Sequence, residues 1–203
     1  LYRIEKQIVT DPRRDTALQQ VRFSAQQGAL SDYRLHVLLA PHLGNQGGGN
    51  TAWVDEFEGT PLLFALRDGN ALALACSAPW LKRSVGFVGF SDGWQDLQAH
   101  KQMTWEYTRA ENGNVALTAE INLVQSQGAF VLALGFGNDP QEAAQNAIAS
   151  LRDGFDRAKS DYIAGWQELH AARENSKHSP GDMSRVLVLD LCTRVATASL
   201  HTS

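Results

Sequence analysis

From Tyr2 to about Phe136 the apolar positions recur at every second residue in short segments, separated by clusters of Gly, Asn, Asp and Pro. A period of two sends successive side chains to opposite faces of an extended chain, so this region reads as all β. Tyr33 to Leu39 places Tyr33, Leu35, Val37 and Leu39 on one face and a more polar set on the other. Leu117 to Leu123 repeats the alternation, and Met103, Trp105 and Tyr107 alternate with Thr104, Glu106 and Thr108. Each of these predicts a half-buried strand with a core on one side. Ala71 to Cys76 and Phe130 to Leu134 are instead apolar on both faces, which predicts strands in the middle of a layered structure. Two stacked sheets accommodate both kinds.

Turn signals fall at Asp11-Pro12, Glu58-Gly59, Asp68-Gly69-Asn70 and Glu111-Asn112-Gly113-Asn114, where Asn-Gly and Asp-Gly pairs supply the positive φ angles of tight hairpins. Consecutive antiparallel hairpins favour a large sandwich over a parallel α/β sheet. Two longer loops break the rhythm, Pro41 to Asn50 and Ser91 to about His100, and loops of that kind carry sites. At Asp139 the pattern changes. Asp139 can cap, Pro140 suits the first helical position and Glu142 sits where a capping box places it, so a helix starts there. Asp153-Gly154 interrupts it. Phe155, Ala158, Tyr162, Trp166 and Leu169 then follow at helical spacing to about Arg173, Glu174 to Asp182 reads as a linker, and Ser184 to Ser199 reads as a further helix. The near-contiguous Val186, Leu187, Val188, Leu189 and Leu191 give that last helix more apolar surface than an isolated one can hide.

The 203 residues, 43% hydrophobic and 20% charged, suit a globular chain long enough to bury a core. A domain of this size buries roughly 70% of its unfolded surface, so it needs neither disulfides nor a structural metal. Eighteen Lys+Arg against 22 Asp+Glu, with no basic block, leave no footprint for nucleic acid or an anionic membrane. No apolar run approaches the roughly 18 residues of a membrane helix. The opening Leu1-Tyr2-Arg3-Ile4-Glu5-Lys6 alternates like a strand and lacks signal-peptide order, so the beginning reads as cut from something longer. Cys76 and Cys192 have no CxxC context and read as buried free thiols.

The chemistry-bearing patterns are sparse. Gly44 to Asn50 is glycine-rich but lacks the Lys-Ser/Thr of a phosphate loop, and a strand rather than a helix follows. His42 has no metal-spaced companions and reads most simply as a hydrogen-bonded loop histidine. No Gly-x-Ser-x-Gly occurs. Asp55, Glu56, Glu58, Asp92, Asp96, Glu106 and Glu120 all lie in the β region, where any two could form a catalytic pair, although surface or turn duty is the simpler reading. Asp92 beside Gly93 and Trp94 is the most site-like, since a carboxylate next to an aromatic ring suits sugar binding; the alternative is an Asx turn with Trp94 in the core. Trp53 and Trp105 fit core positions on alternating segments, while Trp80 and Trp94 could serve as stacking platforms. The residues imply no cofactor and no metal.

Read together, Leu38-Leu39-Ala40-Pro41-His42-Leu43-Gly44, Gly49-Asn50-Thr51-Ala52-Trp53-Val54 and the stretch Ser84 to Leu97 resemble the N-terminal domain of bacterial glucoamylase and glucodextranase proteins, glycoside hydrolase family 15. Glu111 to Glu120 and Leu132 to Gly137 continue the likeness in the same order, so that it covers about residues 1 to 170. The resemblance implies a mainly β, antiparallel supersandwich similar to galactose mutarotase, followed by C-terminal linker helices. It implies a sandwich over residues 1–138 that lacks its first portion, linker helices over 139–174, and, over 175–203, a linker and the severed first helix of an (α/α)6 barrel. In that family two barrel glutamates act as general acid and general base and invert the sugar; neither position falls within this sequence, so no catalytic residue is carried over.

The expectation is therefore a non-catalytic domain that packs against and supports a catalytic barrel. His42, Gly44 and Asn50, with Ser91, Asp92, Trp94 and Asp96, mark the loops expected to face the barrel or a sugar. The alternative is a free-standing module that binds α-glucan through Trp94 or Trp80. The residues 186–191 are a candidate for self-association.

Overall fold

The computed structural model describes residues 1–176, with side chains through residue 172. The expected helix Ser184–Ser199, the residues 186–191 and Cys192 lie outside the described residues.

A seven-stranded antiparallel sheet runs in the order β1 (Tyr2–Thr10), β2 (Thr16–Ala25), β10 (Ala129–Gly137), β6 (Asn70–Cys76), β5 (Thr60–Arg67), β4 (Asn50–Phe57) and β8 (Arg109–Gly113). A smaller antiparallel sheet holds β3 (Leu35–Leu39), β9 (Val115–Ile121) and β7 (Trp80–Phe87), with β9 in the middle. Helix α1 spans Gly93–His100, α2 spans Pro140–Asp153 and α3 spans Phe155–Ser176.

Two cores explain the strands that are apolar on both faces. Leu63, Ala65, Leu72, Leu74, Phe130 and Leu132 of the large sheet meet Val85, Leu117, Ala119 and Ile121 of the small one. On the opposite face, Leu18, Leu62, Phe64, Ala71, Ala73, Ala75 and Ala133 pack under Ala143, Ala144 and Ala147 of α2 and Phe155 and Ala158 of α3. The size difference has a geometric cause. Leucines fill the gap between two sheets, whereas a row of alanines lets a helix settle close to the strands. The second covering layer is thus helical, with the sheets stacked on the other side.

The two-residue turns Glu58-Gly59 (φ 50° and 73°) and Asp68-Gly69 (φ 46° and 76°) close hairpins as expected. Asn112, with φ 52°, does not. It lies at a register irregularity between β4 and β8, and the chain then crosses to the other sheet as β9, so the Glu111–Asn114 signal marks a corner. Met103, Trp105 and Tyr107 form no strand either. Residues 103–108 are an extended segment, with Met103 buried and Tyr107 exposed, whose hydrogen bonds go to single groups such as Ser84 Oγ and Val85 N–H and so build no ladder. Nor is β9 half-buried, since Thr118 and Glu120 on its outer face are covered as thoroughly as Leu117.

The Asp139 carboxylate caps α2 by accepting from Glu142 N–H at 2.9 Å. Glu142 reaches back to Asn138 N–H at 2.7 Å, one residue earlier than a standard capping box. Helices α2 and α3 are tied to the β1–β2 turn by polar contacts. The buried Asp11 carboxylate accepts from Ser150 Oγ at 2.8 Å, Arg13 N–H at 3.0 Å and Arg14 Nη1 at 3.1 Å. Arg14 and Arg13 also reach Asp153 at 2.8 and 3.1 Å. Burial alone would raise the Asp11 carboxyl, but these hydrogen bonds and the Arg13 charge hold it below the usual carboxylate range. Lys159 and Asp161 of α3 still reach Gln7 and Arg13 at 2.7 and 3.4 Å, and beyond them the helix presents Tyr162, Ile163 and Trp166 to solvent; it extends to Ser176, past the expected end near Arg173.

Cys76 is free and half-buried at the end of β6. Burial pushes its thiol up to about 12, against the opposing hydrogen bond from Ala78 N–H. The thiolate is the reacting species, so Cys76 is expected to label at least tenfold more slowly in the native chain than in denaturant. Peptide mapping after timed alkylation checks this; equal rates would contradict the burial.

Candidate functional site

Strand register gathers the two expected loops at one end of the small sheet. Leu39 at the end of β3 stands opposite Leu117, and Phe87 at the end of β7 stands opposite Val115, so both strands finish beside the start of β9. Val88 N–H donates to Asn114 O at 2.7 Å, and a Cβ added to Gly47 would lie 3.3 Å from the Asn114 side chain. The segments 41–50 and 88–96 therefore flank the same corner.

The first loop is held from inside. Asn50, fully buried, donates through Nδ2 to Gln46 O at 2.9 Å and Gly47 O at 2.6 Å and accepts from Leu43 N–H at 3.3 Å. Arg67 braces the same turn through Gln46 Oε1 at 2.7 Å. Gly44 takes φ 64°, a left-handed conformation that suits glycine. His42 at the loop entrance is exposed.

The second segment is a helix, where a loop was expected. Asp92 caps α1 by accepting from Gln95 N–H at 2.9 Å and also accepts from Gly89 N–H, while Ser91 Oγ accepts from Phe87 N–H at 3.0 Å. Gly93 lets the helix start against β9, since a Cβ there would lie 2.2 Å from Thr118 Cγ2. Asp96, 1% exposed, accepts from Thr104 N–H at 2.7 Å, Trp105 N–H at 2.8 Å, Thr104 Oγ1 at 2.5 Å and the His100 ring at 2.8 Å. Burial pushes its carboxyl upward, yet the donors from Thr104 and Trp105 outweigh this and keep it below the ordinary value. Asp96 is held ionised and has no proton to give at neutral pH.

Of the seven candidate residues, Asn50, Ser91, Asp92 and Asp96 are thus occupied in shaping the backbone, and Gly44 supplies a turn. His42 and Trp94 present side chains to solvent, Trp94 at 60% exposure. Trp80 makes a poorer platform, because its indole N–H donates to Pro61 O at 3.1 Å and its ring packs on the core. Trp53 stacks on Phe64, with centroids 5.2 Å apart. Sequence reasoning missed Leu38, Phe87, Val88 and Phe90, exposed apolar residues close to this corner, with Phe90 at 82%. The signal was the run Phe87-Val88-Gly89-Phe90, whose apolar residues no alternation could bury.

Fold and site together define an antiparallel β-sandwich backed by helices, whose loop corner offers an apolar surface while its carboxylates are committed to backbone donors. The chain belongs to the glucodextranase domain N family, whose model matches residues 1–171. It is 36% identical over 167 residues to a glucoamylase of Clostridium sp. (strain G0005), covering 82% of this chain and 24% of that protein. The structure is similar to a bacterial glucoamylase solved in complex with acarbose, at TM-score 0.79 and 35% identity over 82% of this chain and 24% of the other. An inverting mannosidase of family GH92 from Bacteroides thetaiotaomicron shares the fold at TM-score 0.53 and 12% identity, over 78% of this chain and 20% of the other. This chain thus spans about a quarter of the glucoamylases it matches.

Proposed function

We propose that the chain is the non-catalytic N-terminal sandwich of a larger glucoamylase-like protein, an inverting α-glucosidase of the glucan 1,4-alpha-glucosidase or glucodextranase type. Its work is to pack against an (α/α)6 catalytic barrel and shape the rim on the substrate side. The observation that carries this reading is the exposed pair Phe90 and Trp94 at the corner where both loops meet. Large aromatic side chains left in water on a rigid support mark an interface, and each contributes about 2 kcal/mol once buried. The committed states of Asp92 and Asp96 support a supporting role over a chemical one.

Two measurements test the reading. The purified chain is expected to release no glucose from maltooligosaccharides or isomaltooligosaccharides under conditions where a full-length glucoamylase does; release proportional to chain concentration would overturn it. Fused to the barrel of a relative, the chain is expected to lose most quenching of Trp94 fluorescence by acrylamide. A Trp94 equally accessible with and without the barrel would end the interface proposal. The exposure of Trp94 also suits the second reading, an α-glucan platform, for which retardation in starch gels that disappears in Trp94→Ala would be the evidence.

A further inference from the structure

At the opposite end of the small sheet, a groove of about 430 Å³ lies at the C-terminal end of β9 and is lined by Arg34, Lys82 and Glu120, with Leu30, Leu81 and Val124. Glu120 differs from the other buried carboxylates. Asp11, Asp92 and Asp96 each accept two or more hydrogen bonds. Glu120, 5% exposed, accepts none among the described residues: Arg34 Nε lies at 4.0 Å and His36 Nε2 at 3.8 Å, both beyond hydrogen-bonding distance. The Glu120 oxygens open on the groove, so solvent or a ligand there supplies the donors that the chain does not.

The surroundings are fixed in place. Register sets His36, Glu120 and Lys82 in one row across the three strands, with Thr118 in the next row of the same face. His36 Nε2 and Thr118 Oγ1 are both buried without a hydrogen-bond partner among the described residues. Arg34 is held by Gln102 Oε1 at 3.0 Å, and Lys82 by Met103 O at 3.0 Å and Glu106 at 3.1 Å, so the segment after α1 pins both cations beside the groove. Desolvation lowers the pKa of His36, against the pull of Glu120 and Asp96 and together with the repulsion of Arg34, so it enters this row as a neutral ring.

The charge pattern selects the ligand. Arg34 and Lys82 are balanced by Glu120 and Glu106, so no net charge favours a metal ion, and no group of three or more metal-ligating side chains occurs among the described residues. An anion would meet Glu120 at close range. A neutral molecule with adjacent hydroxyls satisfies both signs, because one hydroxyl donates to the carboxylate while its neighbour accepts from the guanidinium or ammonium. Leu81 and Val124, exposed at 55% and 59%, offer an apolar surface for a C–H face. We propose that the Glu120 groove is a binding site for a neutral polyhydroxyl ligand of one or two sugar rings. It is separate from the Trp94 corner and does not depend on the barrel.

The test is a titration of the isotope-labelled full chain, followed by amide NMR, with glucose, maltose and isomaltose, and with glycerol as a control. Saturable shifts at millimolar sugar, centred on Arg34, Leu81, Glu120 and Asn122, are the expected result. Glu120→Gln, which keeps the side chain's shape, is expected to weaken binding about tenfold. Arg34→Ala, on the exposed rim, should also weaken it and does not endanger folding. Lack of saturation with all three sugars overturns the proposal, as do equal shifts with glycerol, shifts centred on Trp94, or affinity unchanged in both variants.

Discussion

Gly135→Ala is expected to destabilise the chain by about 3 kcal/mol. A Cβ at Gly135 would lie 2.2 Å from Ala143 O and 2.5 Å from Ala147 N, both backbone atoms of α2. Backbone in a helix that is itself packed cannot yield locally, so the whole of α2 would have to lift from β10. That would loosen Ala143, Ala144 and Ala147, which are completely buried. Gly165→Ala in α3 is the matched control, since its added Cβ meets nothing within 4 Å. It should leave stability unchanged or raise it by up to about 1 kcal/mol through helix propensity. Urea midpoints decide the matter: Gly135→Ala unfolding at the wild-type midpoint would show that the close helix–sheet approach is not real.

Asp96→Asn is expected to cost about 3 kcal/mol at neutral pH. Its carboxylate gathers two backbone donors and a hydroxyl from Thr104 and Trp105, and an amide nitrogen in place of one oxygen would face N–H groups. The segment that follows α1 and pins Lys82 would lose its main attachment. The pH dependence has a definite sign. A carboxyl whose folded pKa lies below its unfolded value of about 3.9 stabilises fully above that value, and its contribution disappears as pH falls through the folded pKa. The gap between wild type and Asp96→Asn should therefore be widest near about pH 7 and shrink in acid below about pH 4. Asp11, lowered in the same way, is retained in both proteins and cancels in the comparison. A gap that stays constant from neutral pH down to about pH 3 would mean that the carboxylate's charge is not what holds the segment.

Local signals suffice where one short stretch of chain carries the whole physics. Asp139, Pro140 and Glu142 specify a helix start without outside help, and Glu58-Gly59 and Asp68-Gly69 specify two-residue turns through their own φ preferences. Asn112-Gly113 has the same local chemistry, yet the strands on either side belong to different sheets, which no dipeptide can reveal. In sequence the stretch of α1 reads as a loop, because Asp92-Gly93 looks like a turn. Only the packing of Gly93 on Thr118 and the reach of Asp96 to Thr104 show why the chain coils there. The meeting of the two candidate segments is a matter of strand register, and the role of each side chain is a matter of what packs against it. The motifs around His42 and Trp94 fall at one corner of the fold, while Asn50, Asp92 and Asp96 turn inward.

Alternation, turn residues, caps and the ordered family motifs together determined a β-sandwich of glucoamylase type with helices after it, because each depends on neighbours within a few positions. Tertiary structure alone decided what covers each face. A period-two pattern records that Thr118 and Glu120 point away from Leu117. It cannot record that α1 and the segment behind it fold over them, or that Phe90 and Trp94 are left outside. Burial is set by whichever distant segment arrives, and strand register, which brings His36 and Lys82 beside Glu120, forms only when those segments meet.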